Sequence, residues 1–321
     1  MPMKDDMDKL EKIFVVGHKG MVGSAIVRKL QEQGYRDIIV KSHAECDLTK
    51  PSNVDKVFSY ELPQCVFLAA AKVGGIHAND NYPADFIYQN LAIQTNVIDA
   101  CYRYKVKKLL FLGSSCIYPR NCKQPIKEDY LLTGALESTN QWYAVAKIAG
   151  IKMCQAYNKQ YGTSFVPVMP TNLYGEKDNY SLENSHVLPA MIRKFHEAKI
   201  EKKDNVMLWG TGRVFREFLH VDDLAEACIF LMNNYSDSEI INIGTGKDIT
   251  IYALSQIIKK IVGYKGVLAW DVLRPEGTPR KLLDVSKIKG LGWKYKIELE
   301  HGIEKTYKNF LKELKEGNIK L

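Results

Sequence analysis

Tyr143 and Lys147 are the two residues whose types and spacing most directly suggest chemistry. They stand four positions apart in the stretch Tyr-Ala-Val-Ala-Lys, so a helix at this point places them on one face. An ammonium group beside a phenol favours the phenolate, and we expect it to lower a tyrosine pKa that is about 10 in water. Such a tyrosine can donate a proton to a carbonyl oxygen. Because the same spacing occurs by chance on many helices, this interpretation depends on the rest of the chain.

A glycine-rich turn near the start of the chain indicates a cofactor site. Residues 12–16 form a short apolar run that is followed by Gly17-His-Lys-Gly20-Met-Val-Gly23 and an amphipathic segment at 24–33. A strand, a glycine turn and a helix N-terminus together bind a diphosphate, because backbone N–H groups point at the anion and glycine lets it approach closely. The G-x-x-G-x-x-G pattern after the first predicted strand therefore favours a dinucleotide site over an ordinary tight turn.

The end of the second predicted strand indicates which dinucleotide binds. Residues 37–40 are predicted as that strand, and Lys41 and His43 follow it, with Lys19 nearby in the glycine turn. An acidic residue here would bind the ribose 2′-hydroxyl of NAD, whereas basic residues accept the 2′-phosphate of NADP. We therefore predict NADP(H) as the cofactor. The alternative is that Lys41 and His43 are merely solvated loop residues.

Strands and helices alternate along the first half of the chain. The predicted strands cover residues 12–16, 37–40, 65–68, 108–112 and 164–169, and the predicted helices cover residues 24–33, 82–104 and 140–161. This alternation is typical of the α/β class, in the form of a Rossmann-type, doubly wound parallel sheet whose ligands bind at the carboxyl ends of the strands.

After residue 180 the alternation becomes irregular. Helices are predicted at 188–198 and 251–262, and short strands at 206–208 and 239–243. We therefore expect an NADP(H)-binding Rossmann domain over residues 1–180, to which segments near 215–250 return. Residues 181–321 are expected to form mainly a smaller, mixed α/β substrate domain.

Composition and charge exclude several classes of protein. A chain of 321 residues with 46% apolar content can bury a full α/β core. Its seven cysteines form no C-x-x-C pair and its histidines do not cluster, which argues against a metal site or a disulfide framework. The net charge of +8 comes from dispersed lysines, so no nucleic-acid partner is expected. No apolar run approaches the roughly 18 residues that span a bilayer, and the segment 1–12 lacks an apolar core, so we expect a cytosolic protein without a membrane partner.

Ser114 joins the Tyr/Lys pair to form a known kind of catalytic set. The predicted strand 108–112 delivers Ser114 to the sheet edge that also receives the glycine turn. The order of glycine turn, strand-end serine and Tyr-x-x-x-Lys resembles the extended short-chain dehydrogenase/reductase family. Further matches run along most of the chain: Ala69-Ala-Ala-Lys-Val-Gly-Gly75, Asn90, Pro170-Thr-Asn-Leu-Tyr-Gly175, Arg216-Glu-Phe-Leu-His-Val-Asp-Asp223 and Asn242-Ile-Gly244.

Within that family the chain resembles the GDP-L-fucose synthase branch. The stretches that carry this resemblance are Gly17-His-Lys-Gly-Met-Val-Gly-Ser24, Ala69-Ala-Ala-Lys-Val-Gly-Gly-Ile76, Tyr82-Pro-Ala-Asp-Phe-Ile-Tyr-Gln-Asn90, Gly113-Ser-Ser-Cys-Ile-Tyr-Pro119, Asn184-Ser-His186 and Gly277-Thr-Pro-Arg-Lys-Leu-Leu-Asp284. The resemblance implies a GDP-linked 4-keto sugar as the substrate and NADPH as the hydride donor at C4. It also implies inversion of C3 and C5 before reduction. This is chemically reasonable because both carbons flank the ketone, so their protons are acidic and can be removed to form an enolate.

The resemblance assigns roles to five catalytic candidates. Tyr143 would deliver the proton to the C4 oxygen, Lys147 would also hold the nicotinamide ribose, and Ser114 would share the developing negative charge. Cys116 would be the base of the epimerisation and His186 the acid. Their reference pKa values, about 8.5 and 6.5, lie near enough to neutrality to be tuned.

The resemblance also implies binding residues and a homodimer joined through two helices per subunit. The expected cofactor-binding residues are Gly17, Lys19, Gly20, Met21, Val22, Gly23, Lys41, His43, Asp47, Leu48, Ala70, Tyr143, Lys147, Pro170, Asn172, Leu173 and His186. The expected substrate-binding residues are Asn172, Val187, Arg193, Lys194, Trp209, Arg216 and Lys281. Guanidinium and ammonium groups among them would grip the substrate diphosphate.

Two departures and several alternatives remain open. The branch commonly has arginine where this chain has Lys19, His43 and Lys194, which leaves open some use of NADH and the exact nucleotide sugar. One alternative is a C4-reductase without epimerase activity that acts on a different GDP-4-keto sugar, such as a heptose. Another is a non-catalytic dinucleotide-binding sensor. GDP-mannose 4,6-dehydratases and UDP-sugar 4-epimerases share the expected fold, but the stretch around Cys116 and His186 favours the synthase-like interpretation.

Overall fold

A six-stranded parallel sheet lies at the centre of the structure, a computed structural model that describes residues 7–274 and 276–320. The strand order is β2-β1-β3-β4-β5-β9. The strands of this sheet are β1 (Ile13–Val16), β2 (Ile38–Ile39), β3 (Cys65–Leu68), β4 (Lys108–Leu112), β5 (Phe165–Pro170) and β9 (Ile241–Ile243). The order reverses between β1 and β3, so the crevice beyond their carboxyl ends is the switch point at which such folds bind ligands.

The helices lie in layers around these strands. They are α1 (Met21–Glu32), α2 (Pro51–Glu61), α3 (Ile76–Asn81), α4 (Pro83–Arg103), α5 (Gln141–Tyr161), α6 (Val187–Ile200), α7 (Val221–Asn234), α8 (Ile251–Val262), α9 (Ser286–Gly290) and α10 (Leu299–Glu316). The first helix packs against α7, while α4 packs against both α2 and α5. The four-residue strand β1 is fully buried, as expected for a strand covered on both faces.

A second set of strands supports the other part of the chain. Its members are β6 (Asn172–Tyr174), β7 (Asn205–Trp209), β8 (Phe215–His220), β10 (Asp248–Thr250), β11 (Val267–Asp271) and β12 (Arg280–Lys281). One sheet has the order β10-β8-β12 with β6 paired to β8, and β7 pairs with β11. A separate apolar core forms here from α6, α8, α10 and the strands they cover.

The predicted fold class is confirmed, because the central sheet is parallel and doubly wound. The chain also returns to the first core after residue 180, since α7, β9 and residues around Leu283 and Trp293 are buried there. No helix within residues 7–274 and 276–320 combines the length and apolar character that crossing a membrane requires. Of the N-terminal segment 1–12 considered above, residues 1–6 lie outside the described residues.

Candidate active site

The turn after β4 carries the first two catalytic candidates. Ser114 is the cap of a short 3-10 turn, and its Oγ accepts a hydrogen bond from the Cys116 backbone N–H at 3.4 Å. The strand leading to it has no room for a side chain at Gly113, where a Cβ would lie 2.6 Å from the sulfur of Met169. Cys116 is buried, with 8% of its surface exposed. The end of β4 therefore fixes the serine and the cysteine next to each other.

Helix α5 brings Tyr143 and Lys147 to the same place. The Lys147 ammonium lies 5.8 Å from the centre of the Tyr143 ring and donates to the carbonyl oxygen of Leu112 at 2.7 Å. It also lies over the ring of Phe111 at 4.8 Å. Since Leu112 ends β4, this hydrogen bond ties the helix to the strand that carries Ser114.

The electrostatics of this pair differ from the sequence expectation. Burial raises the pKa of Tyr143, a negative Cys116 would raise it further, and a hydrogen bond with Ser114 opposes both. Burial lowers the pKa of Lys147 to about 8. The prediction that Lys147 lowers the pKa of the phenol is therefore wrong here, because burial of the phenol raises that pKa and the Lys147 ammonium donates to the Leu112 carbonyl. The phenol keeps its proton at neutral pH, which is the form that a proton donor needs.

His186 directly precedes α6, and the loop that leads to it contacts the loop that follows β3. The Gly75 N–H donates to the carbonyl oxygen of Asn184 at 2.8 Å. A Cβ at Gly75 would lie 2.5 Å from the carbonyl oxygen of Ser185, so only glycine permits this approach. His186 is an exposed residue, but desolvation by the surrounding protein and the nearby Lys281 ammonium lower the pKa of its imidazole.

A small polar cavity adjoins Cys116. It is lined by Ser115, Cys116, Tyr118, Pro119, Ile126, Glu137, Asn140, Thr278 and Lys281. Burial raises the pKa of the Cys116 thiol, whereas the Lys281 ammonium and the hydrogen bond with Ser114 lower it. The oxygen Oδ1 of Asn140 is buried there without a hydrogen-bond partner. A thiol, an ammonium, a carboxylate and an unsatisfied amide oxygen thus face one small space.

The glycine turn after β1 fits a dinucleotide diphosphate. Gly17 has φ +94°, and a Cβ on it would lie 2.8 Å from the backbone nitrogen of Ala70. A Cβ on Gly23 would collide with the carbonyl oxygen of Gly17. Helix α1 begins at Met21 without a side-chain cap or an acidic residue in its first turn, so its first N–H groups are available to an anion.

The predicted 2′-phosphate residues have carboxylate neighbours. Lys41 forms an ion pair with Glu61 at 2.5 Å, and this partner raises its pKa. Glu45 accepts hydrogen bonds from the backbone N–H and the hydroxyl of Ser42. His43 is 86% exposed. Basic residues are therefore present at this edge, but Glu45 and Glu61 add negative charge that the sequence analysis had not considered.

The remaining adenine-side and strand-end candidates are placed by backbone and side-chain bonds. Asp47 accepts from the Thr49 hydroxyl at 2.6 Å, and the carbonyl oxygen of Leu48 accepts from Asn96. Asn172 donates to the carbonyl oxygen of Glu217 at 2.7 Å. Pro170 ends β5, and Leu173 lies in β6. Pro170 and Asn172 thus lie at the carboxyl end of β5, whereas Asp47 and Leu48 lie in the loop between β2 and α2.

The predicted substrate residues divide into two groups. Lys281 and Arg216 are paired in register on the parallel strands β12 and β8. Arg216 donates to the carbonyl oxygens of Phe215 and Glu276, and burial lowers its pKa to about 10. Lys194 lies 5.6 Å from the ring of Trp209, whose ring also has Arg274 5.0 Å away. Two cations therefore face one indole.

Two other predicted substrate residues are less directly placed. Arg193 is engaged by Glu197 at 2.6 Å and by the carbonyl oxygen of Tyr180 at 3.1 Å. Val187 is the first residue of α6 and is 36% exposed. The structure adds Glu137, Asn140 and Arg274, which the sequence analysis did not name. Arg274 could have been found from its nearness to the Gly277-Thr-Pro-Arg-Lys stretch, but Glu137 and Asn140 lie in an irregular segment without a recognisable pattern.

Among residues 7–274 and 276–320 there is no group of three or more His, Cys, Asp or Glu side chains that could hold a metal ion.

Comparisons with known proteins agree with this arrangement. Residues 13–244 match the family described as the NAD dependent epimerase/dehydratase family. GDP-L-fucose synthase 1 of Arabidopsis thaliana is 60% identical over 305 residues, which cover 95% of this chain and 94% of that protein. GDP-L-fucose synthase of Escherichia coli K12 is 51% identical over 94% of this chain and 97% of its own length. The solved structure of MlghC, a GDP-mannoheptose C4 reductase from Campylobacter jejuni with NADP bound, has a TM-score of 0.88 at 44% identity and covers 95% of this chain and 99% of that one. The chain is therefore a member of the NAD-dependent epimerase/dehydratase family.

Proposed function

We propose that this chain is an NADP(H)-dependent enzyme that epimerises C3 and C5 of a GDP-linked 4-keto-6-deoxyhexose and then reduces its C4 ketone, as GDP-L-fucose synthases do. The observation that carries the proposal is the joint placement of Ser114, Cys116 and Tyr143, which hydrogen bonding and charge link in one site. The relatives named GDP-L-fucose synthase support the choice of substrate.

The reduction step uses the residues at the end of β4 and on α5. When bound, the reduced nicotinamide supplies the hydride that C4 receives. Tyr143 gives its phenolic proton to the C4 oxygen, and Ser114 donates a hydrogen bond to the same oxygen while negative charge develops on it. Lys147 holds the helix against β4 through Leu112 and would bind the nicotinamide ribose with its remaining N–H groups. The glycine turn and α1 would hold the diphosphate.

Epimerisation needs a base on one face of the sugar and an acid on the other. The Cys116 thiolate takes the proton from C3 or C5, and the electrons of that C–H bond form the enolate of the C4 ketone. Protonated His186 returns a proton to the opposite face, which restores the ketone with inverted configuration. Exchange with solvent then returns the thiol proton to water and reprotonates the imidazole.

Substrate binding falls to the second part of the chain. We propose that residues 1–180, with the returning segments near 215–250, hold the cofactor and that residues 181–321 mainly hold the nucleotide sugar. Lys194, Arg216 and Arg274 supply positive charge for the diphosphate, and Trp209 supplies a flat apolar surface.

We further propose a cytosolic homodimer joined through α4 and α5. Trp142 and Val145 are three positions apart on α5 and are each 42% exposed, and Tyr88 on α4 is 67% exposed. Large apolar side chains left open on neighbouring helices are typical of an interface.

Hydrogen exchange tests the epimerase part of the proposal. Incubation with GDP-4-keto-6-deoxy-mannose in D₂O without NADPH should introduce deuterium at C3 and C5, read by mass spectrometry. Cys116→Ser should stop this exchange while it still reduces an already epimerised ketone when NADPH is added. Equal loss of both activities would show that Cys116 is a packing residue and not the base.

A second candidate is a C4-reductase without epimerase activity that acts on a GDP-linked heptose. The similarity to MlghC favours it, as does Lys194 in place of arginine. A 4-keto sugar that takes up no deuterium but is reduced with NADPH would establish this candidate. If no GDP-4-keto hexose or heptose causes NADPH consumption, that result would favour the alternative of a non-catalytic dinucleotide-binding sensor.

A further inference from the structure

We propose that Lys281 is a positioning residue for epimerisation, whose charge keeps the Cys116 thiol and the His186 imidazolium ready to release their protons, with Glu137 as its counter-charge. This inference rests on the proposed function, because it assigns a role within the same site. It differs from the expectation that Lys281 binds the substrate diphosphate.

The fold places Lys281 beside the thiol rather than in an open groove. Lys281 is in register with Arg216 on the parallel strand β8, so the two side chains project from the same side of the sheet. Two backbone hydrogen bonds with Ile126 fix the segment after it. The Ile126 N–H donates to the carbonyl oxygen of Leu282 at 2.7 Å, and the Asp284 N–H donates to the carbonyl oxygen of Ile126 at 2.8 Å. Lys281, Cys116 and Glu137 then line the same cavity.

The positive charge beside this cavity favours proton release from both Cys116 and His186. An ammonium near a thiol stabilises the thiolate and lowers the thiol pKa. The same ammonium destabilises a nearby imidazolium and so makes His186 a stronger acid. Because the base must lose a proton and the acid must give one up, a single cation moves both groups in the direction that epimerisation requires.

The surroundings of Lys281 shift its pKa in opposite directions. Burial and Arg216 lower its pKa, while Cys116, Glu137 and Cys122 raise it. Glu137 is only 6% exposed, and Arg120 pairs with it at 3.2 Å. The charged or titratable groups that face Cys116 and Lys281 are thus Tyr143, Lys147, His186, Arg216, Glu137 and Cys122.

The charge balance of the reaction explains why the cation should be permanent. Negative charge begins on the Cys116 sulfur and moves to the enolate oxygen when the C–H proton is transferred to sulfur. It disappears when His186 protonates the carbon. A lysine beside this path stabilises the anion at each stage without exchanging a proton itself.

Alkylation of Cys116 tests the proposal directly on the full chain. The background variant is Cys122→Ser, because Cys122 is the other thiol that faces Lys281, whereas the remaining five cysteines are buried away from it. The rate of iodoacetamide modification at Cys116 is followed against pH by peptide mass spectrometry. Lys281→Met should raise the pH of half-maximal rate by about one unit, which is roughly a tenfold slower reaction at neutral pH.

Two further variants supply the controls. Lys281→Arg keeps the positive charge and should keep most of the original profile. Glu137→Gln removes the counter-charge and should move the profile to lower pH, opposite in sign to Lys281→Met. If Lys281→Met folds poorly, the shift in Glu137→Gln still tests the proposal.

The outcomes separate this inference from its alternative and from the proposed function. An unmoved profile in Lys281→Met, with a weakened affinity for GDP measured by calorimetry, would overturn the proposal and return Lys281 to diphosphate binding. If wild-type protein catalyses no C3 or C5 exchange, the proposed epimerisation fails, whereas the alkylation profiles still report whether Lys281 tunes the Cys116 thiol.

Discussion

At the scale of single residues, the proposed proton donor Tyr143 and the Lys147 ammonium beside it have separate roles. The Lys147 ammonium donates a hydrogen bond to the Leu112 carbonyl, and this bond fixes the position of α5 relative to β4. Tyr143 stays protonated because burial raises its pKa. Its ring is held edge to face against Phe86, with centroids 6.4 Å apart. The phenolic hydroxyl can therefore be removed without disturbing how the ring packs.

Tyr143→Phe should reduce turnover by about 10²-fold or more, the scale expected when a general acid is lost. NADPH affinity should change less than about twofold, because the ring contact and Lys147 remain. Steady-state kinetics and a fluorescence titration with NADPH give the two values. Tyr161→Phe, at the far end of the same helix, serves as the control and should retain full turnover. Retained turnover with weakened NADPH binding in Tyr143→Phe would assign the phenol to cofactor binding alone.

At the scale of elements, the sequence predicts best those strands and helices whose residues differ clearly from the residues that flank them. β3 and β4 match their predicted bounds because each is an apolar run between polar turns. α8 also matches, since it begins after a Thr250 cap and ends at Gly263. In contrast, α7 was not predicted, because β8 runs into it at His220 without a glycine or proline to mark the boundary.

The site was predictable only where motifs are compact. Ser114, Cys116, Tyr143 and Lys147 follow from short stretches of sequence, and the structure brings them together. The approach of Lys281 to Cys116 was not foreseen, because the two residues are distant in sequence and β12 has only two residues. A strand of that length carries no periodicity, so only the tertiary pairing with β8 places it.

Gly23→Ala is a prediction about the turn between β1 and α1. The added Cβ would collide with the carbonyl oxygen of Gly17, which is backbone and cannot move aside cheaply. We expect at least a roughly tenfold loss of NADPH affinity and a loss of about 1–3 kcal/mol in the free energy of unfolding. Calorimetry and chemical denaturation measure these effects. Gly290→Ala is the matched control, because nothing lies within 4 Å of a Cβ there. Equal behaviour of the two variants would contradict the close packing of the turn.

At the scale of the whole molecule, one buried carboxylate joins the two sets of strands. Glu217 on β8 is fully buried and accepts from the N–H groups of Thr245 at 2.6 Å, Gly246 at 2.7 Å and Leu283 at 2.9 Å. Thr245 and Gly246 follow β9 of the central sheet, whereas Leu283 follows β12. The carboxylate thus fixes the turn after β9 and the segment that carries Lys281 to one strand.

Glu217→Gln should lower the free energy of unfolding by about 1–3 kcal/mol, because an amide NH₂ would then face a backbone donor in a buried place. Chemical denaturation followed by circular dichroism measures the change. Glu226→Gln on α7 removes only a partly exposed partner of Lys296, and its effect should stay within about 0.5 kcal/mol. A Glu217 variant as stable as wild type would show that these N–H groups find other acceptors.

The contact of Gly75 with the Asn184 and Ser185 carbonyls joins two loops that are distant in sequence, so the two loops depend on each other for their positions. One loop follows β3 of the central sheet, and the other carries His186, the proposed acid, to the start of α6. A chimera that receives either loop from a relative without its counterpart would misplace the imidazole even though every acid–base residue were retained. Exchange of substrate preference between family members therefore requires both loops to be moved together.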